Sequence, residues 1–511
     1  MLQLFDLPIS HHTQLVLGAT ACIGTAGVII WAYLLRSESG LSLPPSPPTW
    51  SLRGHFLPLR NSFITVAGWI DEYGPLVTIR SGTETIVIIG RHKAVVDIME
   101  KQGGLLADRP RMIAAGEILS GGQSIGFMHA GHKFRRMRRA LHSHLQPKAA
   151  EAYQSLQMAH AKNTVLCILD DPYNFQDHAT TYAAATIMKV TYGKTTPTSA
   201  TDPEVKEIHQ IFETLRTVLH PGAYLVDSIP WLKYLPWYGQ ELKREFERTR
   251  KLYTKQLNHV KQQLQSNVDV GPSFMKYMLE NEHSYGLTET EMAFLGGTLF
   301  GAGSDSIAVA ICTVLMAAAC FPEEQAKVQA ELDAVIGRHR APTFADQPSL
   351  PRLEAFISET LRWRPLAPNG FPHRTTQDVI WENYRIPAGT SVLGNHWAIS
   401  RDPDVYPDPD VFRPQRWLDD QDRMRDDLKF FVYGFGRRIC PGLHVANRSV
   451  FINSLLILWA FQLTLDPTKP LDDMGFMTGV MPNERPCAIE FKTRIPEVGL
   501  RRTMQSYPEV A

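Results

Sequence analysis

From Thr288 to Cys320 the chain reads TETEMAFLGGTLFGAGSDSIAVAICTVLMAAAC, and after Glu291 its one charged residue is Asp305. Thr288 and Glu291 have the Thr-x-x-Glu spacing of a capping box, so a helix is predicted to start there. A helix that is apolar all round either runs through the centre of a large body or crosses a membrane. The middle of this one carries Gly296, Gly297, Gly301 and Gly303, followed by Asp305 and Ser306. Each interior glycine costs about 1 kcal/mol against alanine, and a buried carboxyl costs more unless it finds a partner. Asp305 at the centre speaks against a lipid-facing span. Defects grouped at the middle of a core helix mark a functional site.

Such a helix needs a large body around it. The chain has 511 residues, of which 44% are hydrophobic and 20% charged, which suffices for an extensive core. Its 52 basic and 52 acidic residues cancel. That balance excludes a nucleic-acid binder working by bulk basicity and a disordered acidic chain, so no nucleic acid is expected as partner. The six cysteines, Cys22, Cys167, Cys312, Cys320, Cys440 and Cys487, form no CxxC pair and are too sparse for a disulfide scaffold.

Residues 15–35, LVLGATACIGTAGVIIWAYLL, carry no charge. At ~1.5 Å per residue they span roughly 30 Å, the thickness of a bilayer core. Ala19-Thr20-Ala21 resembles a cleavage site, but Asp6 without Lys or Arg precedes the run and the apolar stretch continues past it, which favours a retained anchor. Arg36, Arg53 and Arg60 follow the span, so the positive-inside rule puts the body in the cytoplasm. The predicted organisation is a short tail at 1–14, a transmembrane anchor at 15–35, a Pro-rich hinge at 36–50 and one large domain at 51–511. Within it, helical periodicity covers 148–169, 204–219, 239–265, 288–320, 322–336 and 349–363. Extended pieces fall at 77–89, near 378–393 and at 484–492. The fold class is mainly α with a small β-sheet region.

Residues 431–442 read FVYGFGRRICPG. Gly434, Gly436 and Gly442 let backbone approach a flat ligand and aim N–H groups at the Cys440 sulfur. Arg438 is expected to favour thiolate over thiol, as is the N-terminal dipole of the helix pattern that begins just after Cys440.

This loop resembles the haem-binding loop of the cytochrome P-450 family, Phe-x-x-Gly-x-Arg-x-Cys-x-Gly, with Tyr433 standing where the family has Phe. The resemblance extends over nearly the whole chain and implies the cytochrome P-450 fold, with Cys440 as thiolate ligand of the iron of haem b (iron protoporphyrin IX). It implies cofactor contacts from Arg438, Gly436, Gly442 and Tyr433, and propionate contacts from Arg138 and His373. Phe134 stands at a position that is usually Trp and has lost the indole donor. Glu359-Thr360-Leu361-Arg362 is similar to the family's Glu-x-x-Arg, and Arg416 in FRPQRW implies a buried Glu359–Arg362–Arg416 cluster bracing the Cys440 loop. Ala302-Gly303-Ser304-Asp305-Ser306 resembles the oxygen-activation groove: Gly303 is expected to open room for O2 above the iron, and Asp305 and Ser306 to relay protons. Ser306 replaces a family Thr, keeping the hydroxyl without the methyl that restricts its rotamer.

The family implies substrate contacts from Ala302, Leu366, Asn369 and Met477, in segments apolar enough for a hydrophobic terpenoid, polyketide or prenylated indole. The bases Lys133, Arg135, Arg136 and Arg139 fit a docking patch for an acidic redox partner. No GxGxxG dinucleotide fingerprint occurs, so electrons are expected from NADPH through a separate NADPH–cytochrome P-450 reductase. The sequence is similar to fungal secondary-metabolite hydroxylases of the O-methylsterigmatocystin oxidoreductase type. The expectation is a monooxygenase in the endoplasmic reticulum membrane, single-pass, with its catalytic domain cytoplasmic. A haem-thiolate isomerase or peroxygenase without a reductase and a non-catalytic haem sensor are the alternatives; the Asp305–Ser306 pair argues against the first and the open groove around Gly303 against the second.

Overall fold

A computed structural model describes residues 24–25 and 40–507, except 52, 53, 59, 83, 221, 267–270, 479 and 480. The anchor predicted at 15–35 lies outside the described residues apart from 24 and 25, as does the start of the hinge.

The longer elements in chain order are α1 Ser62–Tyr73, β1 Leu76–Ser81, β2 Glu84–Ile89, α2 His132–Leu145, α3 Gln154–Asp170, α4 Phe175–Tyr192, α5 Pro203–Val218 and α6 Gln240–Gln265. Then come α7 Glu289–Cys320, α8 Pro322–Val335, α9 Pro351–Trp363, β3 His373–Arg374, β4 Val379–Trp381, β5 Tyr384–Ile386, β6 Ser391–Gly394, α10 Leu443–Ala460, β7 Phe461–Leu465, β8 Ile489–Thr493 and α11 Glu497–Gln505.

The core is built around α7. Its capping box forms: Thr288 Oγ1 accepts from the Glu291 N–H at 3.2 Å, and the Glu291 carboxylate accepts from the Thr288 N–H at 3.0 Å. Both α7 and α10 are long and apolar enough to cross a membrane, yet 78% and 72% of their apolar windows are buried within the protein. They are core helices, wrapped by α3, α4, α6 and α9. Of three antiparallel or mixed sheets, the β7–β8 pair packs against α7 and α10. The largest has the order β1-β2-β6-β3, with β2 antiparallel to β1 and parallel to β6. β4 pairs with β5, and β7 with β8.

Sequence periodicity located most helices to within a few residues. The expected 148–169 helix is divided into a short turn at Pro147–Glu151 and α3. α4 escaped because its less buried side is only a narrow stripe, Asp177, Thr181 and Lys189, while Ala179, Tyr182, Ala183, Ala184, Ile187 and Met188 are all buried. β8 begins only at Ile489, later than the 484–492 expectation, and its partner β7 was not foreseen. Its register is set by a strand 24 or more residues away, Leu465↔Ile489 being the nearest pair.

Candidate functional site

The Cys440 loop is held by its own backbone. The Gly434 N–H donates to Phe431 O at 3.0 Å, and the Cys440 N–H donates to Tyr433 O at 2.9 Å. Gly436 has φ +51, and a Cβ on it would lie 2.5 Å from the Met99 carbonyl oxygen, so only glycine fits between the loop and that backbone. Its N–H donates to Glu100 Oε1 at 2.8 Å. α10 begins at Leu443, with Gly442 as its N-cap, so the sulfur lies against a helix N-terminus. Tyr433 keeps a ring beside the sulfur, and its hydroxyl donates to Asn447 Oδ1. Burial raises the Cys440 thiol above its usual range, and the Gly442 amide and the Arg138 charge offset part of that rise.

Arg138, not Arg438, therefore acts electrostatically on the sulfur, which corrects the expectation from sequence spacing. Arg138 reaches across from α2 to donate to Ile439 O, next to the cysteine. Arg438 turns the other way. Its Nε donates to Ala107 O at 2.6 Å and its Nη2 to Met128 O at 2.8 Å, and the guanidinium stacks 3.6 Å over the Phe134 ring. Phe134 thus supplies a π face where an indole donor had been anticipated as lost.

Arg109 joins this group, although no motif singles it out. It is buried, with Nε donating to Gly126 O at 3.1 Å and Nη1 to Pro372 O. Burial and the neighbouring Arg438 charge hold Arg109 down at about 9. Burial holds Arg438 at about 10, with Arg138 adding repulsion and Asp108 opposing it. His373, in β3, donates from Nδ1 to Leu106 O at 2.8 Å, which leaves Nε2 for another partner. Burial, then the Arg109 charge, push this imidazole down to about 3, so it is neutral.

These residues meet the requirements of iron protoporphyrin. Three buried or half-buried guanidiniums that repel one another, with Asp108 the carboxylate acting on two of them, call for an anionic ligand such as two propionates. A cysteine sulfur at a helix N-terminus, contacted by a backbone amide, is a fitting thiolate donor.

The facing wall comes from α7. Ala302 is exposed in the middle of this otherwise buried helix, and Gly303 and Ser306 beside it are partly exposed. The opening therefore belongs to Ala302. A Cβ on Gly303 would meet Ile187 of α4 at 2.9 Å, so this glycine permits close packing of α4, and the room expected of it comes from its neighbour. Similarly, a Cβ on Gly297 would strike Tyr253 at 2.2 Å and one on Gly301 would strike Phe212 at 2.1 Å. Ser306 Oγ donates to Ala302 O at 2.7 Å. Asp305 is 2% exposed, and neither carboxyl oxygen makes a well-directed hydrogen bond. Burial pushes its carboxyl up to about 8, the Met481 amide offsetting and Glu213 adding to the shift.

Glu359, Arg362 and Arg416 meet as the spacing implied. Arg362 donates to Glu359 Oε2 from Nε at 2.8 Å and to Oε1 from Nη2 at 2.7 Å. Arg416 Nε donates to Oε1 at 3.1 Å. The Trp417 indole at 3.0 Å and the Arg413 amide at 2.8 Å complete the shell.

The expected substrate residues differ in their surroundings. Leu366 is half-buried against the main core. Asn369 is exposed and accepts from Ser62 Oγ at 3.3 Å. Met477 is buried with Phe63 and Trp397 in a separate cluster, because the 471–478 turn folds its side chain back onto α1. Met477 thus serves packing rather than the opening beside Ala302.

Comparison with known proteins agrees with this geometry. The sequence model of the family described as Cytochrome P450 matches residues 44–491. Cytochrome P450 monooxygenase 113 of Postia placenta is 47% identical over 457 residues, covering 89% of this chain and 92% of that protein. Cytochrome P450 monooxygenase 58 of the same fungus is 36% identical, covering 87% and 86%. Cytochrome P450 monooxygenase virE of Hypocrea virens is 32% identical, covering 88% and 83%.

Proposed function

The chain belongs to the cytochrome P450 family of haem b monooxygenases, and on that premise we propose which residues perform each part of the reaction. Cys440 holds the iron through its sulfur. Bound there, haem b supplies the redox chemistry by which one atom of O2 enters a substrate C–H bond. The Gly442 amide and Arg138 temper the charge of that sulfur. Arg109, Arg138, Arg438 and His373 receive the two propionates and so fix the ring's orientation. Ala302 keeps the α7 face open. Asp305, whose carboxyl stays protonated near neutral pH, donates protons, and the Ser306 hydroxyl beside it hands them into the opening. Glu359, Arg362 and Arg416 brace the chain at 400–411, before the Cys440 loop.

The substrate is a hydrophobic small molecule, of terpenoid or polyketide type, in fungal secondary metabolism; the apolar character of the sequence segments expected to meet it supports this. NADPH–cytochrome P-450 reductase supplies the electrons. Residues 15–35 anchor the enzyme in the endoplasmic reticulum membrane with its catalytic domain cytoplasmic. Leu225, Trp231, Tyr234 and Trp237, at 63%, 60%, 76% and 69% exposure, support a second contact with the bilayer.

The observation that carries this reading is one cysteine at a helix N-terminus beside mutually repelling buried guanidiniums. Reduced protein exposed to carbon monoxide should show a red-shifted Soret band, and Cys440→Ala should abolish it. A band that survives this substitution excludes Cys440 as ligand. Vesicle flotation tests the membrane reading: removal of residues 1–36 should weaken binding, and Trp231→Ser with Trp237→Ser should weaken it further.

A further inference from the structure

Asp305 has a proton to give but no direct contact with water, since its side chain is 2% exposed. Among the described residues one titratable side chain reaches it: His209 of α5, whose Nε2 lies 3.2 Å from Asp305 Oδ1 and whose own side chain is 23% exposed. Both atoms otherwise lack a well-directed hydrogen bond. The groups acting on this imidazole are Asp177, on the exposed first turn of α4, and Glu213, one turn further along α5. Glu213 also pairs with Arg216 at 3.1 Å. Around Asp305 itself stand His209, Glu213 and the Met481 amide.

We infer that His209 is the proton-feeding residue of this enzyme, carrying protons from the Asp177–Glu213 surface to Asp305. The inference rests on the monooxygenase reading and concerns a residue that touches the acid rather than the reacting atoms, so His209 is a positioning and relay residue. The transfer balances simply. Asp305 releases its proton toward Ser306 and becomes a carboxylate. His209 gives its Nε2 proton to Asp305 Oδ1 and takes one from water at Nδ1, and exchange between its tautomers resets it. One proton thus moves from solvent to the opening per cycle, with no electron moved. Burial lowers the imidazole and raises the carboxyl above it, so the proton rests on Asp305 and its return from His209 is favourable.

The test uses the haem-loaded full chain without turnover. The infrared carbonyl stretch of protonated Asp305 is identified by its loss in Asp305→Asn, and its recovery after a downward pH jump is timed. His209→Gln keeps a donor beside Asp305 but cannot pass a proton, whereas His209→Leu removes both functions. We expect the wild-type midpoint to persist in His209→Gln and to rise in His209→Leu. In both variants recovery slows by about tenfold or more. Recovery within twofold of wild type in His209→Gln overturns the relay. The carbon monoxide band is read on the same samples: its presence with unchanged recovery defeats this inference alone, whereas its absence in wild type defeats the monooxygenase assignment beneath it.

Discussion

Glu359→Gln tests the largest electrostatic commitment in the fold. Glu359, Arg362 and Arg416 are all buried, the first two at 0% exposure. The carboxylate accepts five hydrogen bonds, three from guanidiniums, one from an indole and one from an amide. Glutamine keeps the shape but removes the charge and turns one acceptor into a donor facing a donor. Two buried guanidiniums then lack a counter-charge. Removing one partner of such a pair costs about 3–5 kcal/mol, a large part of the ~5–15 kcal/mol that holds a typical protein folded. Arg413, whose ion pair with Asp408 is exposed on both sides, provides the contrast, at under ~1 kcal/mol for Arg413→Ala. Urea midpoints of both variants, with haem content read alongside, measure the difference. The double variant Glu359→Gln, Arg362→Met should lose less than the sum of its singles, since one uncompensated charge leaves with its partner. Glu359→Gln within ~1 kcal/mol of wild type would refute the view that this carboxylate neutralises the cluster.

Three further outcomes follow from particular residues. Asp305 binds its proton more tightly folded, at about 8, than in an unfolded chain, so it favours the folded state below the unfolded value and loses that contribution as pH rises through 8. Asp305→Asn should therefore gain thermal stability relative to wild type at pH 9 compared with pH 5; parallel curves would contradict the burial of an acid. Ser306→Thr should lower the peroxide released per NADPH consumed, because the added methyl restricts the rotamer that now rests on Ala302 O, and equal peroxide yields would exclude a rotamer effect. Gly370 has φ +69 and a Cβ there would sit 2.2 Å from Gly394 O, so Gly370→Ala should destabilise by more than ~1 kcal/mol in the same urea assay.

Much of the site was legible where function and spacing coincide along the chain. The Cys440 loop, Glu359–Arg362 and the capped, glycine-interrupted α7 are contiguous motifs, and each formed as its residue pattern implied. Legibility failed where direction mattered. Arg438 is two residues from Cys440, yet its guanidinium turns toward Ala107 and Met128, while Arg138, some three hundred residues earlier, reaches the loop. Gly303 read as a gap over the iron and proved to be a seat for α4. Met477 followed the course of its turn into a separate cluster.

By itself the sequence determined the class of the protein: a large helical body around one apolar helix, with a cysteine loop of the form that ligates haem. Those features depend on local backbone geometry and on periodicity, which neighbouring residues specify. Only the tertiary structure decided which charges face the sulfur, that Arg109 joins the cation cluster, and that His209 meets Asp305. Each of those pairs spans distant segments, and their meeting depends on how helices cross and side chains turn in a packed interior. No local pattern encodes that geometry, because the same side chain at the same spacing can point to either face until its neighbours close around it.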